Sequence, residues 1–164
     1  MDYHFISGLP RAGSSLLAAL LRQNPQLHAD VTSPVARLYA AMLMGMSEEH
    51  PSNVQIDDAQ RMRLLRGVFD AYYQDRRELG TVFDTNRAWC SRLAGLARLF
   101  PQCRIICCVR DVGWIVDSFE RLAQTEPLRL SALFGYDPED SVSMRADLLT
   151  APRGVVGYAL DGLR

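Results

Sequence analysis

Apolar positions along the chain form short runs that predict β-strands and longer, periodic stretches that predict α-helices. Three short runs, at residues 4–7, 81–83 and 104–109, contain the Ile, Val, Phe and Thr side chains that strands favour. A helical pattern follows each of these runs. The predicted helices cover residues 14–22, 35–46, 57–78, 89–100, 111–124 and 140–149.

The alternation of strands and helices predicts an α/β fold. Strands that are separated by helices pair in parallel, in a sheet that helices cover on both faces. The expected architecture is a P-loop-like, three-layer α/β/α fold with a parallel sheet, of which three strands are visible. Ligands of such folds bind beyond the carboxyl ends of the strands, so Ser7, Asp84 and Val109 mark the expected functional edge.

The length of 164 residues fits one domain. The last helical pattern runs from Gly154 to Arg164 without a capping residue or a polar tail. Such an ending is typical of a helix that is cut midway. We therefore expect residues 1–164 to form a single domain that is truncated at its carboxyl end.

The charge of the chain limits the partners that it can bind. Its formal net charge is −1, and all 18 basic residues are arginine. Without a broad positive field the chain is a poor match for nucleic acid, so an anion must be held by a local pocket. The lack of lysine excludes a phosphate-loop lysine and Schiff-base chemistry.

Hydropathy and cysteine placement indicate an intracellular protein outside the membrane. Apolar residues make up 48% of the chain, but no apolar run is long enough to span a bilayer. The amino terminus passes into the first strand with neither a basic leader nor a cleavage site, which predicts a cytoplasmic location. The four cysteines lack paired metal-ligand spacing and are expected to be buried, reduced thiols: Cys90, Cys103, Cys107 and Cys108.

The first candidate anion site is the turn between the first strand and the first helix. Gly8 and Gly13 are five residues apart, as in the phosphate-binding motif G-x-x-x-x-G-K-[ST], with Ser14 in the place of the lysine. Glycines let the backbone turn its amide groups inward, and the amino terminus of the following helix favours an anion. Arg11 can replace the missing cation. The alternative is a tight turn in which Ser14 only caps the helix.

The second candidate anion site follows the strand at residues 104–109. Arg110 and Asp111 come directly after that strand, and Ser118 lies two helical turns further along. This spacing can aim the arginine and the serine along one edge of the sheet, where both can donate to a phosphate. The alternative is a surface arginine that pairs with Asp111, and a serine that faces solvent.

Together, these two segments resemble the donor-binding motifs of the sulfotransferases. Residues 5–17, FISGLPRAGSSLL, are similar to their 5′-phosphosulfate loop, which reads P-R-[SA]-G-[ST]-[ST] after a strand. Residues 108–111, CVRD, with Ser118 resemble the 3′-phosphate motif, in which an arginine ends a strand and a serine follows eight residues later. The resemblance is to the bacterial type, which is related to the protein-tyrosine sulfotransferase branch.

The resemblance implies 3′-phosphoadenosine 5′-phosphosulfate as the donor of a sulfo group, and a hydroxyl or amine acceptor. It places Arg110 and Ser118 at the 3′-phosphate of the donor. It places six residues of the loop at the 5′ end: Pro10, Arg11, Ala12, Gly13, Ser14 and Ser15. It implies a small-molecule or peptide acceptor and no metal ion, and it leaves a homo-oligomer open.

Catalytic roles are expected for Arg11 and for two residues outside the motifs. Asn86-Arg87 resembles an Asn-Lys pair of the protein-tyrosine branch, whose basic residue stabilises charge near the bridging oxygen, and this assigns Arg87 the same role. Asp30 is the candidate general base, with a solvent-exposed carboxylate as its alternative role. The carboxyl-terminal strand and second 3′-phosphate loop of the family have no counterpart among the 164 residues.

Two other functions stay open at this point. Gly8 to Ser15, with Asp84 as a magnesium ligand at a strand end, would suit a phosphate-loop kinase or nucleotide hydrolase, although the missing lysine argues against it. A non-catalytic nucleotide-binding domain would keep the donor pocket without the acceptor side.

Overall fold

The computed structural model describes residues 1–46, 55–125 and 141–152 of the chain. Its strands are β1 (Asp2–Gly8), β2 (Leu27–Ala29), β3 (Thr81–Thr85) and β4 (Ile105–Cys108). Its α-helices are α1 (Ser14–Leu21), α2 (Val35–Gly45), α3 (Asp58–Tyr72), α4 (Leu93–Leu99), α5 (Val112–Thr125) and α6 (Val142–Thr150). Two 3₁₀ helices, Gln74–Leu79 and Arg87–Arg92, follow α3 and β3.

The four strands form one parallel sheet in the order β2-β3-β1-β4. Phe5 of β1 lies opposite Asp84 of β3 on one side and Ile105 of β4 on the other. Helices flank the sheet, so the predicted α/β fold with a P-loop-like parallel sheet is confirmed. Because β1 is an inner strand, the loop that follows it emerges between β3 and β4, at the carboxyl edge where ligands of such folds bind.

The strand β2 was absent from the sequence prediction, which showed three strands where the structure has four. Leu27 of β2 pairs with Thr81 of β3 at the start of the ladder. Three residues are too few to produce a strand periodicity, and the neighbouring Pro25 and Asp30 are typical of loops. Only the tertiary pairing with β3 therefore marks this segment as a strand.

The burial predicted for the strand at residues 104–109 was wrong. Among the described residues β4 is an edge strand that pairs only with β1, and 84% of Val109 is exposed. Cys107 is exposed and Cys108 is half-buried, whereas Cys90 is buried as expected. All four cysteines are free thiols. An apolar run alone does not distinguish a central strand from an edge strand.

The main hydrophobic core lies on one face of the sheet, beneath α2, α3 and α4. Side chains alternate between faces along a strand, so Tyr3 and Phe5 point into this core together. It is rich in aromatic rings: the centroids of Phe5 and Trp89 are 5.3 Å apart, and those of Phe69 and Phe100 are 5.0 Å apart. Edge-to-face ring packing of this kind makes the sheet a rigid support for its carboxyl edge.

The opposite face of the sheet is covered by α1, which contacts β1, β2 and β3. Ile6 of β1 and Ala18 of α1 are fully buried there. A separate small cluster forms where Ile115 and Phe119 of α5 pack with Leu9. Leu9 belongs to the loop after β1, so this cluster holds α5 against the first candidate anion site.

The predicted helices at 57–78 and 89–100 each divide into an α-helix and a 3₁₀ helix. A capping box starts α3, because the Gln60 N–H donates to the Asp57 carboxylate at 2.6 Å and the Gln60 side chain accepts from the Asp57 N–H at 2.9 Å. The helix ends at Tyr72, and the side chain of the C-cap residue, Tyr73, is buried. The packing of Tyr73 and Trp89 in the core sets these helix boundaries. The hydrophobic periodicity of the sequence does not show this packing.

The structure describes only part of the carboxyl-terminal region for which helices were predicted. The helix predicted at 140–149 is confirmed as α6. The pattern from Gly154 to Arg164, on which the prediction of a truncated domain rests, lies outside the described residues. Among the helices that the structure describes, none is long and apolar enough to cross a membrane.

Candidate anion-binding site

Three residues between the end of β1 and the start of α1 lie in the left-handed region of backbone conformation. Their φ angles are 135° at Gly8, 64° at Arg11 and 104° at Gly13. The Ala12 N–H donates to the Leu9 carbonyl at 3.2 Å and closes a tight turn. A left-handed conformation costs a residue with a side chain about 1–3 kcal/mol. The fold holds Arg11 in this conformation, as is common at ligand-binding positions.

The loop ends at the amino terminus of α1. Gly13 is the N-cap residue and makes no side-chain cap, so the alternative in which Ser14 is the cap is wrong. The first N–H groups of a helix have no partners within that helix, and the helix dipole adds about half a positive charge there. The backbone from Gly13 to Ser15 therefore offers donors to an anion.

The structure brings the two predicted anion sites together. The Arg11 Nε donates to the Ser118 Oγ at 2.9 Å, across 107 positions of sequence. The Arg110 Nη1 donates to the Arg11 carbonyl oxygen at 3.0 Å. We call Arg11, Arg110 and Ser118 the arginine cluster. It joins the loop after β1 to the end of β4 and to α5.

Neither guanidinium of the arginine cluster forms an ion pair with a described carboxylate. Asp111 accepts instead from the Trp114 N–H at 3.3 Å and caps α5, so the alternative pairing of Arg110 with Asp111 is wrong. Asp117, one residue before Ser118, pairs with Arg121 at 2.9 Å. Two positive charges thus lie beside the loop with only neutral acceptors, which makes the cluster electropositive.

Arg87 lies at the start of the 3₁₀ helix that follows β3. Ser7, which is buried at the end of β1, donates from its Oγ to the Arg87 carbonyl at 3.0 Å and accepts from the Cys90 N–H at 3.0 Å. The Asn86 side chain caps this helix by accepting from the Ala88 N–H. Ser7 therefore ties the backbone of Arg87 to the base of the loop, while the Arg87 side chain stays exposed.

Asp30 follows β2 and is half-exposed. Its Oδ2 lies 3.1 Å from the His28 Nε2, and its Oδ1 lies 4.0 Å from an Arg22 nitrogen. The structure describes no contact between Asp30 and the arginine cluster. The role of Asp30 as a general base stays a prediction.

Asp84 is a structural carboxylate, so the interpretation of this residue as a magnesium ligand was wrong. It is fully buried. Its Oδ2 accepts from the Ser33 and Tyr73 hydroxyls, both at 2.7 Å, and its Oδ1 accepts from the Trp89 indole at 2.8 Å. Three donors occupy both oxygens, and they fix the carboxyl end of β3 to the segment before α2, to the end of α3 and to the 3₁₀ helix Arg87–Arg92.

Asp84→Asn is expected to reduce the pH dependence of stability. Burial raises the pKa of Asp84 above its ordinary value of 3.8, against the opposing effect of its hydrogen bonds. A carboxyl group with a raised pKa contributes stability that is fully present below pH 3.8 and is lost as the pH rises through the raised pKa. The unfolding free energy of the wild type, minus that of the variant, should therefore increase as the pH falls toward 3.8.

Urea denaturation of both proteins over a pH series measures this difference. Asp75→Asn, at an exposed position in the other 3₁₀ helix, is the matched control. A difference that stays constant with pH, or that decreases on acidification, would contradict the assignment.

Thr85 is a polar residue of this edge that the sequence did not reveal. It is 4% exposed at the end of β3, beside Ile6 of β1. Its Oγ1 is buried and has no hydrogen-bond partner among the described residues, which is uncommon in folded proteins. The only sequence signal is its position, because it ends a strand as Ser7 does.

A comparison with known protein families agrees with the resemblance of the two motifs to the sulfotransferases. The family model described as Sulfotransferase family matches residues 4–151. The matched segment contains the loop after β1, the arginine cluster and Arg87. No curated protein shows a significant match. Because the family model covers most of the chain, the protein belongs to the sulfotransferase family.

Proposed function

We propose that the protein transfers a sulfo group from 3′-phosphoadenosine 5′-phosphosulfate to a hydroxyl or amine acceptor. Membership of the family supports a sulfotransferase-type function. The observation that carries the choice of donor is the arginine cluster, in which Arg110 donates to the Arg11 backbone and neither arginine has a carboxylate partner among the described residues. A donor with anionic groups at both its 3′ and 5′ positions matches two such cations.

The residues present fit this donor. A side chain at Gly13 would meet no atom within 4 Å, so the space at the start of α1 is open. The Thr85 hydroxyl, which has no hydrogen-bond partner among the described residues, lies at the same carboxyl edge of the sheet. We assign six residues of the loop to the 5′ end of the donor: Pro10, Arg11, Ala12, Gly13, Ser14 and Ser15. Arg110 and Ser118 are assigned to the 3′-phosphate.

The proposed transfer forms a bond between the acceptor oxygen or nitrogen and the sulfur, and it breaks the bond between that sulfur and the 5′-phosphate oxygen. The acceptor loses its proton to a base, for which Asp30 is the candidate, and adenosine 3′,5′-bisphosphate leaves. Arg11 and Arg87 would stabilise the negative charge that develops on the departing phosphate. Because arginines supply this charge, we expect no requirement for a metal ion.

The acceptor and setting are also proposals. A small molecule or a peptide can supply the hydroxyl, and the exposed Arg87 side chain leaves room for either. Four free thiols fit a reducing, cytoplasmic environment. A homo-oligomer is compatible with the outer edge of β4, which pairs with no other strand among the described residues.

Calorimetric titration with adenosine 3′,5′-bisphosphate tests the proposal directly. We expect saturable binding that is at least about tenfold tighter than that of adenosine 5′-monophosphate, because charge-assisted hydrogen bonds contribute about 1.5–3 kcal/mol each. Equal affinity for the two nucleotides would contradict the assignment of the donor. Tight magnesium-dependent binding of ATP, insensitive to a 3′-phosphate, would favour a phosphate-loop kinase instead.

A further inference from the structure

A cavity of about 370 Å³ lies between α2, α3 and α4, on the helical layer of the main core. Its volume lies within the range of about 300–1,000 Å³ that is usual for small-molecule sites. Leu43, Met62, Leu65 and Leu99 give it an apolar lining. It shares no residue with the arginine cluster or with the loop after β1, so it is a separate feature of the molecule.

The Tyr39 hydroxyl is a polar group of this cavity without a described partner. Tyr39 is 3% exposed and lines the cavity from α2. Burial raises the pKa of Tyr39, and the nearby Arg92 opposes that rise. A Cβ atom at Gly95 would lie 2.6 Å from the Tyr39 hydroxyl oxygen. The glycine therefore makes room for a hydroxyl that no described residue bonds.

The arginines of the cavity are unequally paired. Arg61 and Arg98 both contact the Asp58 carboxylate, at 3.4 Å and 3.0 Å. Arg92 lines the same cavity and forms no ion pair with the residues that the structure describes. Arg92 and Tyr39 both line this cavity, together with Gly95. A cation and a hydroxyl that have no partner among the described residues thus line the same cavity as the leucines.

We propose that this cavity binds a small organic anion, with an apolar ring or chain against the leucines and a single anionic group at Arg92 and Tyr39. The charges favour this class, because Arg61, Arg92 and Arg98 outnumber Asp58, the one acidic residue of the lining. Two donors that converge on one anionic oxygen add orientation to the affinity of the apolar contact.

Calorimetric titration of the full chain with 2-naphthoate tests the site, in the presence of saturating adenosine 3′,5′-bisphosphate. We expect one equivalent to bind, and the neutral isostere 2-naphthamide to bind at least about tenfold more weakly. Arg92→Gln should weaken 2-naphthoate binding by about tenfold or more, because it removes the positive charge that contacts the carboxylate of the ligand. Tyr39→Phe should weaken it by about threefold to tenfold.

Arg63→Gln is the matched control, since Arg63 is an exposed residue of α3 outside the cavity. It makes the same change of charge and should leave the affinity for 2-naphthoate within about twofold. Thermal unfolding verifies that each variant is folded. Equal affinity of the wild type and Arg92→Gln, or an equal loss with Arg63→Gln, would overturn the proposal. Failure of 2-naphthoate to bind in saturating nucleotide would do so too, and binding that occurs only without the nucleotide would place the probe in the loop after β1.

Discussion

Gly8→Ala is expected to lower the free energy of unfolding by about 3–5 kcal/mol, which combines the costs of a disfavoured conformation and of an overpacked site. A Cβ atom at Gly8 would lie 2.3 Å from the Cys108 carbonyl oxygen and 3.0 Å from the Cys108 nitrogen. Both are backbone atoms of the neighbouring strand and cannot rotate away. The φ angle of 135° adds conformational strain for any residue with a side chain.

Substitutions at two other glycines distinguish the steric clash from the conformational strain, and urea denaturation measures each effect. Gly13→Ala has a φ of 104° but open space around the new methyl group, so only a conformational cost of about 1 kcal/mol is expected. Gly67→Ala, within α3, meets no atom and should stabilise the protein by about 0.5–1 kcal/mol. A loss at Gly8 no larger than the loss at Gly13 would show that β1 and β4 are not this close.

The sequence predicted the parts of the fold that depend on local pattern. Alternating runs place β1, β3 and β4 in one parallel sheet, and the spacing of Gly8 and Gly13 identifies the loop. The order of strands is a different matter. The order depends on which strand edges pair with one another in the folded protein. The hydrophobic periodicity therefore shows neither the short strand β2 nor the position of β4 at the edge of the sheet.

The site was predictable to the extent that fold topology controls it. Arg11 and Ser118 meet across 107 positions because the ends of parallel strands share one edge of the sheet. Asp84 shows the limit of this reasoning. Its position at a strand end suits a ligand, but Ser33 and Trp89 come from other segments and enclose it, and such packing is not encoded in any local motif.

Arg110→Ala is expected to weaken the binding of adenosine 3′,5′-bisphosphate by about 30- to 100-fold, which corresponds to about 2–2.7 kcal/mol. In the structure Arg110 donates to the Arg11 carbonyl and to no carboxylate of the described residues, so its remaining donors can face a 3′-phosphate. Adenosine 5′-monophosphate lacks that phosphate, and its affinity should change by less than about threefold. Calorimetric titration of both nucleotides measures the two ratios.

Loss of the Arg110 side chain also removes its hydrogen bond to the loop, and the second nucleotide distinguishes this effect from lost phosphate binding. A displaced Arg11 would weaken both nucleotides alike, because both carry a 5′-phosphate. Arg104→Ala is the matched control: Arg104 lies before β4 and contacts His4 through its backbone N–H alone. It should leave both affinities unchanged. Equal losses of both nucleotides in Arg110→Ala would mean that Arg110 positions the loop after β1 and does not bind the 3′-phosphate.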